Sequence, residues 1–134
     1  MHSLFLQQIE GLRLQYNSIT EESIRDIIPL IGQLRNLRAL DLSCNLIDYR
    51  QNEATTRQIA HTLGSLDHLH RVDLSGSPLG GSLATLLGPL RCPLQYLSLH
   101  SCGLLDTDLL YLAGSRHAAS VEHLDLSENR LTRY

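Results

Sequence analysis

A nine-residue pattern recurs five times in this chain of 134 residues and constrains its fold more than any other feature. Each copy carries aliphatic residues at its first, fourth and sixth positions, and a further aliphatic residue stands two places after the ninth. The copies begin at Ile9, Leu37, Leu69, Leu94 and Val121, at spacings of 28, 32, 25 and 27 residues. One LxxLxL arises easily by chance, whereas five copies in register within a short chain indicate a repeated structural unit.

The spacing within and between the copies predicts their secondary structure. The fourth and sixth positions alternate with polar neighbours, which is the period-two pattern of a short strand with one buried face. The interval to the next copy leaves room for a returning helix, so that successive strands are parallel neighbours. Helical patterns are predicted after Thr20 as N-cap, over Glu53 to Leu63, over Ser82 to Leu87, and over Thr107 to Ala113 with Asp106 as cap.

One strand and one helix per unit of 25 to 32 residues is typical of helix-backed leucine-rich repeats. Thirty leucines, against six aromatic residues and no Trp, fit such a repeated environment better than an ordinary mixed core. We therefore predict an α/β leucine-rich-repeat solenoid of the ribonuclease-inhibitor type, with short parallel strands on the concave face and helices on the convex face. Residues 1–134 are expected to form a single domain of about five repeats, a fragment of a longer solenoid.

The ninth position of each copy is expected to close the strand in a turn. Asn17, Asn45 and Asn129 stand there, and an amide can donate to and accept from backbone groups that have lost their strand partners. Ser77 and Cys102 occupy the same position and can do this only weakly. The repeat that contains Ser77 is also the shortest, so we expect it to be the least stable part of the chain.

Composition excludes several classes of protein. A formal net charge of -3 and a pI near 6.1 leave no basic stripe, which argues against a nucleic-acid partner. Short apolar runs predict no membrane-spanning helix, and the start of the chain does not resemble a signal peptide. Three cysteines without a CxxC or an even framework favour a reducing compartment, so a cytoplasmic or nuclear location is expected.

The stretch from Gly81 to Arg130 carries more than the repeat consensus, with LLGPL, CPLQYLSLHSCGLLDTDLLYLAGSRHAA and VEHLDLSEN, and its most distinctive piece is the turn from Ser115 to Ala119. In these segments the chain resembles the PRAME (preferentially expressed antigen in melanoma) family and its leucine-rich-repeat-containing protein 14 group. The resemblance implies a cytoplasmic or nuclear protein whose relatives are substrate receptors of cullin-2 ubiquitin ligases or restrain signalling to NF-κB. It also implies that cullin-2 and elongin would bind N-terminal to the repeats, outside this chain.

No pattern in the chain predicts catalysis, a cofactor or a metal site. His68 and His70 form an HxH, but no Cys or carboxylate completes a tetrahedral set with them. Ser and Asp recur at the seventh and fifth positions of the pattern, so their recurrence belongs to the repeat and does not indicate a catalytic triad. No Gly-rich phosphate loop is present. We expect a protein that is not an enzyme and needs no cofactor.

The third positions of the copies predict a protein-binding row, because they face away from the core on strands about 4.8 Å apart. Arg71, Tyr96 and His123 form its large members, flanked by Asp73 and Asp125 at the fifth position. Arg and Tyr in a rigid surface often dominate binding energy. In the alternative interpretation, Arg71 only neutralises two aspartates that face each other on adjacent strands.

A second candidate is the segment Asp48 to Ala54, which makes the second repeat the longest. Insertions in a repeat stack project outward, so a rim loop is expected, with Tyr49 and Arg50 as interface anchors. A passive solvated loop is the alternative.

The function predicted from these observations is protein–protein interaction, as the recognition part of a cullin-2 ubiquitin-ligase substrate receptor. Two alternatives remain open at this point. The protein could be a stoichiometric inhibitor, or a signalling regulator in the NF-κB pathway, that masks a partner's surface. A third interpretation is a purely structural repeat segment whose neighbours in the full-length chain do the binding.

Overall fold

A computed structural model describes residues 4–131 and contains one five-stranded parallel sheet with helices between the strands. The elements in chain order are α1 (Leu4–Gln8), β1 (Gly11–Arg13), α2 (Glu21–Gln33), β2 (Ala39–Asp41), α3 (Glu53–Gly64), β3 (Arg71–Asp73), α4 (Leu83–Leu87), β4 (Tyr96–Ser98), α5 (Asp106–Gly114), a 3-10 helix (Arg116–Ala119) and β5 (His123–Asp125). The strands lie in the sheet in the order of the chain, which confirms the predicted parallel strands and the α/β class.

The register of the sheet aligns identical positions of the sequence pattern. Each strand covers the third, fourth and fifth positions of its copy, so neighbouring strands pair third with third and fifth with fifth. The third-position residues, in strand order, are Gly11, Ala39, Arg71, Tyr96 and His123. Because side chains alternate along a strand, third and fifth positions share one face of the sheet and fourth positions point to the helices.

The helix bounds agree with the sequence patterns to within one residue at α2 to α5. Thr20 caps α2 as predicted, since its side chain accepts from the Ser23 N–H while the Ser23 hydroxyl accepts from the Thr20 N–H. Helix α5 begins one residue earlier than expected, at Asp106, and the carboxylate of Asp108 accepts from the Leu105 N–H. The periodicity did not predict α1 or the 3-10 helix, because both are too short to show a helical period.

The core lies between the sheet and the helices and runs through all of the repeats. At the sixth position of the pattern, Leu42, Leu74 and Leu99 are at most 1% exposed, whereas Leu14 and Leu126 in the outer repeats are half-buried. The column of leucines is therefore enclosed in the middle of the stack and only partly covered at its two ends.

The turn after each strand has a shared backbone shape. The eighth position of every copy has a positive φ, between 54° and 77°, in Tyr16, Cys44, Gly76, Ser101 and Glu128. Only one of the five is glycine. The other four residues adopt a left-handed conformation whose free-energy cost must be offset by surrounding interactions. The hydrogen bonds of the ninth position supply that support.

Asparagines at the ninth position bond to backbone groups of the turns, as predicted, and they also connect successive repeats. Asn45 accepts from the N–H groups of Asn17 and Ile19 in the preceding repeat, and it donates to the Leu14 and Leu42 carbonyls. Asn129 forms the equivalent bonds in the last repeat.

The two substituted positions are weaker links between repeats. Among the described residues, the buried Ser77 hydroxyl has no hydrogen-bond partner. The thiol of Cys102 donates to the Leu74 carbonyl at 3.3 Å, and its burial raises the pKa of Cys102 to about 12.

Within residues 4–131, no helix has both the length and the apolar character needed to cross a lipid bilayer.

Candidate protein-binding face

Arg71, Tyr96 and His123 form a continuous row across three neighbouring strands, as the sequence predicted. The guanidinium carbon of Arg71 lies 4.6 Å from the centroid of the Tyr96 ring, which is the geometry of a cation–π contact. The ring centroids of Tyr96 and His123 are 6.4 Å apart, with their planes tilted by 48°. We call these three residues the stacked row. Each member is held by its neighbour, so the row presents a preformed surface.

The aspartates on the same face have a structural role in the turns. Asp41 and Asp73 each accept a hydrogen bond from the backbone N–H two residues later, at 2.8 and 2.9 Å. Asp125 does the same, and the bond from the Ser127 hydroxyl is the main cause that lowers its pKa. In the described residues Arg71 has no ion pair within 4.0 Å with either Asp41 or Asp73, and its guanidinium stacks on Tyr96 instead.

A depression of about 380 Å³ lies on the face beside the stacked row. Gly11 and Ala39 line it, and a Cβ added at Gly11 would meet nothing within 4 Å. Arg71 and Tyr96 border it on the side of the later strands, and Arg13, Gln15, Asp41 and Asp73 complete its polar lining.

Sequence reasoning missed this depression. Gly11 has no side chain and Ala39 has only a methyl group, and the absence of larger side chains at these positions leaves the space. The signal was present in the third-position row, where two small residues adjoin two large ones in register.

The loop before α3 differs from the prediction at Tyr49. The side chain of Tyr49 is only 1% exposed, so it cannot serve as an interface anchor in this structure. The Tyr49 N–H donates to the Pro78 carbonyl and the Thr56 hydroxyl donates to the Tyr49 carbonyl, and these bonds fold the loop back onto the core. Burial raises the pKa of Tyr49. The loop is thus partly a core element.

Arg50 in the same loop is exposed, and its guanidinium forms two hydrogen bonds of 3.0 Å with the Asp48 carboxylate. This pairing lowers the pKa of Asp48. Arg50 therefore lies at the surface, paired with Asp48.

His100, Ser127 and Asp125 are the residue types of a catalytic triad and lie in contact, but their hydrogen bonds do not follow the order of a triad. The Nδ1 of His100 lies 2.7 Å from the Ser127 hydroxyl, which itself donates to Asp125. A nucleophilic serine needs an imidazole that accepts its proton, whereas here the carboxylate takes that bond. The arrangement ties two turns together. Among residues 4–131, no three His, Cys, Asp or Glu side chains are grouped so as to hold a metal ion.

Comparison with known proteins decides the family. The PRAME C-terminal domain matches residues 8–134, almost the whole chain. This chain belongs to the PRAME family. Among its relatives are two proteins named leucine-rich repeat-containing protein 14. The one from Xenopus laevis is 33% identical over 130 residues, and the human one is 35% identical over 123 residues. The human PRAME family member 20 is 30% identical over 115 residues.

These alignments cover most of this PRAME-family chain but little of its relatives. They include 94%, 89% and 83% of the chain in the order given, against 26%, 25% and 24% of the relatives. The chain thus spans about a quarter of the length of the curated relatives that it matches.

The distinctive turn of this PRAME-family chain has a structural explanation. His117 is 1% exposed, and its Nδ1 accepts a hydrogen bond of 3.0 Å from the Leu94 N–H at the start of the fourth copy. The Ser120 hydroxyl donates to the Leu94 carbonyl at 2.7 Å. The 3-10 helix therefore ties the end of the fourth unit back to its own start, directly before the fifth copy begins, and these contacts explain its sequence.

Proposed function

We propose that this PRAME-family chain is a recognition module that binds other proteins through the exposed face of its sheet, and that it has no enzymatic activity of its own. The observation that supports this most directly is the stacked row, with Arg71 4.6 Å above the Tyr96 ring and His123 beside it. The row lies next to a depression, so large side chains and an open space adjoin on one surface.

The energetics of such a surface favour binding. Arginine and tyrosine are the residue types that most often carry binding energy at protein interfaces. Their side chains lose little freedom on binding when they are already stacked on a regular strand, so less of the interaction energy is offset by entropy. Asp73 and Asp125 at the fifth position add charge beside the row and restrict which partners fit.

We further propose that the repeats form part of a solenoid with the sheet on its inner, concave side. Helices are wider than strands, so a stack with all of its helices on one side bends toward the strands. A partner that enters the concavity would contact several strands at once. The depression over Gly11 and Ala39 supports this proposal.

In the whole protein, we propose that this face selects substrates for a cullin-2 ubiquitin ligase in the cytoplasm or nucleus, with cullin-2 and elongin bound outside this chain. The support is the family, in which the resemblance implies such receptors. The alternative within the same family is a regulator of NF-κB signalling that masks its partner without ubiquitin transfer. Both use the same recognition surface.

The test is affinity capture from cells with the full-length protein and its Tyr96→Ala/His123→Ala variant. Both side chains lie on the exposed face, so folding should be retained while the binding surface is lost. We expect capture of at least one partner to fall by more than about threefold, which corresponds to a loss of more than about 0.7 kcal/mol of binding free energy. Cullin-2 and elongin should be captured equally by both proteins.

Leu110→Ala is the matched control, because Leu110 is 74% exposed and belongs to helix α5. It should leave every captured partner unchanged. Equal capture of all partners by the wild type and the double variant would contradict the proposed binding face. If cullin-2 and elongin are absent from all captures but the double variant still loses a partner, the masking regulator is favoured.

A further inference from the structure

We infer that the depression on the sheet accepts an arginine or lysine side chain from the partner protein, with its cationic group between Asp41 and Asp73. This inference rests on the proposed function, since it names the chemistry that the exposed face would recognise. It concerns the part of the face that lies beside the stacked row.

Asp41 and Asp73 are neighbours on the sheet, and each carboxylate keeps one oxygen that the turn does not use. They are paired in register on β2 and β3, which places their Cα atoms about 4.8 Å apart. In both side chains Oδ1 is the atom that accepts from the turn. The second oxygen of each carboxylate has no hydrogen bond among the described residues, so two like charges face each other. Arg13, in register on the other side of Asp41, forms no ion pair with it within 4.0 Å in that part of the chain.

Arg71, the basic residue of β3, is directed away from the two aspartates. The guanidinium of Arg71 stacks on Tyr96, toward β4, and forms no ion pair with Asp41 or Asp73 in the described part of the chain. A cation supplied by a partner would relieve the repulsion between the carboxylates. Charge complementarity therefore favours a basic side chain at this point.

A third acceptor lies at the margin of the depression. Gln15 lines it, and its side-chain oxygen is shielded from solvent with no hydrogen-bond partner among the described residues. A turn of the Gln15 side chain toward the depression would let this oxygen accept from a bound donor, which would satisfy an acceptor now without a partner. A guanidinium carries five N–H donors and an ammonium three, so either could serve the carboxylates and the amide together.

The space over Gly11 and Ala39 suits the rest of such a side chain. The apolar stems of arginine and lysine bury well against an uncharged surface while the charged group reaches polar partners. Gly11 leaves the floor open, and Ala39 adds only a methyl group. The depression thus combines an apolar floor with acceptors along one side.

An acidic partner is the competing occupant, because Arg13 also lines the depression. Arg13 stands in register beside Asp41, so it would place an acidic group close to a carboxylate. With Asp41 and Asp73 on the same side, repulsion disfavours that arrangement. The experiment below includes it as an outcome that would overturn the inference.

The experiment measures retention of four peptide pools on the immobilised full-length protein. The peptides have seven residues that are randomised except for a central Arg, citrulline, Leu or Glu. We expect the Arg pool to be retained most, and the Asp41→Asn/Asp73→Asn variant to reduce that retention about tenfold, because charge-assisted bonds are lost. Asparagine keeps an oxygen acceptor for the turn N–H groups, and Asp73→Asn alone provides a milder variant if the double variant unfolds.

Asp26→Asn is the matched control, since it removes the same charge from an exposed position on α2, outside the depression and the proposed binding face. It should leave retention of the Arg pool unchanged. Retention of the Leu, citrulline or Glu pool in preference to the Arg pool would overturn the inference. If that retention is lost in the Tyr96→Ala/His123→Ala variant, the proposed function survives. If no pool depends on either set of residues, both are contradicted.

Discussion

At the scale of single residues, polar side chains carry hydrogen bonds from one repeat to the next. Asn45 accepts from two N–H groups of the preceding repeat, and His117 accepts from the Leu94 N–H, 23 residues earlier in the chain. Each side chain bonds a backbone group that would otherwise be buried without a partner. Leaving such a group unpaired costs about 1–3 kcal/mol. These residues stabilise the stack without belonging to its apolar core.

His117 should make stability depend on pH. Burial lowers the pKa of His117 below its ordinary 6.5, and Arg116 contributes in the same direction. The unfolded state therefore takes up the proton first as pH falls, so the stabilisation is complete above about pH 6.5 and decreases below it. Urea unfolding of the chain at pH 7.5 and pH 5.5 should show this loss.

His117→Gln should reduce that pH dependence, because glutamine can accept from the Leu94 N–H without titrating. His68→Gln is the control, since His68 is exposed. An unchanged difference between the two pH values in His117→Gln would show that other groups cause it.

At the scale of elements, helix α4 has little local support. It has five residues, and Ser82 provides no side-chain cap, whereas α2 has thirteen residues and a capping box. The cap comes from the next repeat, because Asp108 on α5 accepts from the Gly81 and Leu83 N–H groups. The stability of α4 is thus coupled to that of its neighbour.

Hydrogen exchange of the full-length protein should reveal this coupling. We expect faster exchange over 83–87 than over 24–31, and a further increase over 83–87 in Asp108→Ala. The physical reason is that loss of the carboxylate leaves the N–H groups at the start of α4 without partners. Exchange over 24–31 serves as the internal reference. Equal protection of both helices in the wild type would contradict the prediction.

At the scale of the whole molecule, stability should be unevenly distributed along the stack. The sixth-position leucines of the inner repeats are enclosed by neighbours on both sides, and those of the outer repeats are half-buried. Removal of a side chain from an enclosed site leaves a cavity that rigid neighbours fill poorly, and the cost grows with that cavity.

Leu74→Ala should therefore cost about 2–5 kcal/mol of unfolding free energy. Leu126→Ala should cost less, because its surroundings in this chain can relax. Urea unfolding of the two variants and the wild-type chain measures both. A loss below about 1 kcal/mol at Leu74 would refute the enclosed column.

Much of the fold could be predicted from the sequence because its determinants are local and repeated. A period of two at each LxxLxL predicted strands, the spacing between copies predicted helices and parallel order, and Gly81 to Arg130 indicated the family. The stacked row followed from the same logic, since register places equal positions of the pattern side by side.

Only the tertiary structure decided how neighbouring repeats meet. Whether Tyr49 turns outward depends on hydrogen bonds to Pro78 and Thr56, which lie in other segments. The cap of α4 comes from Asp108, and the depression depends on how Arg71 orients across the sheet toward Tyr96. Periodicity determines which elements form, whereas contacts between residues some 25 positions apart depend on packing in three dimensions.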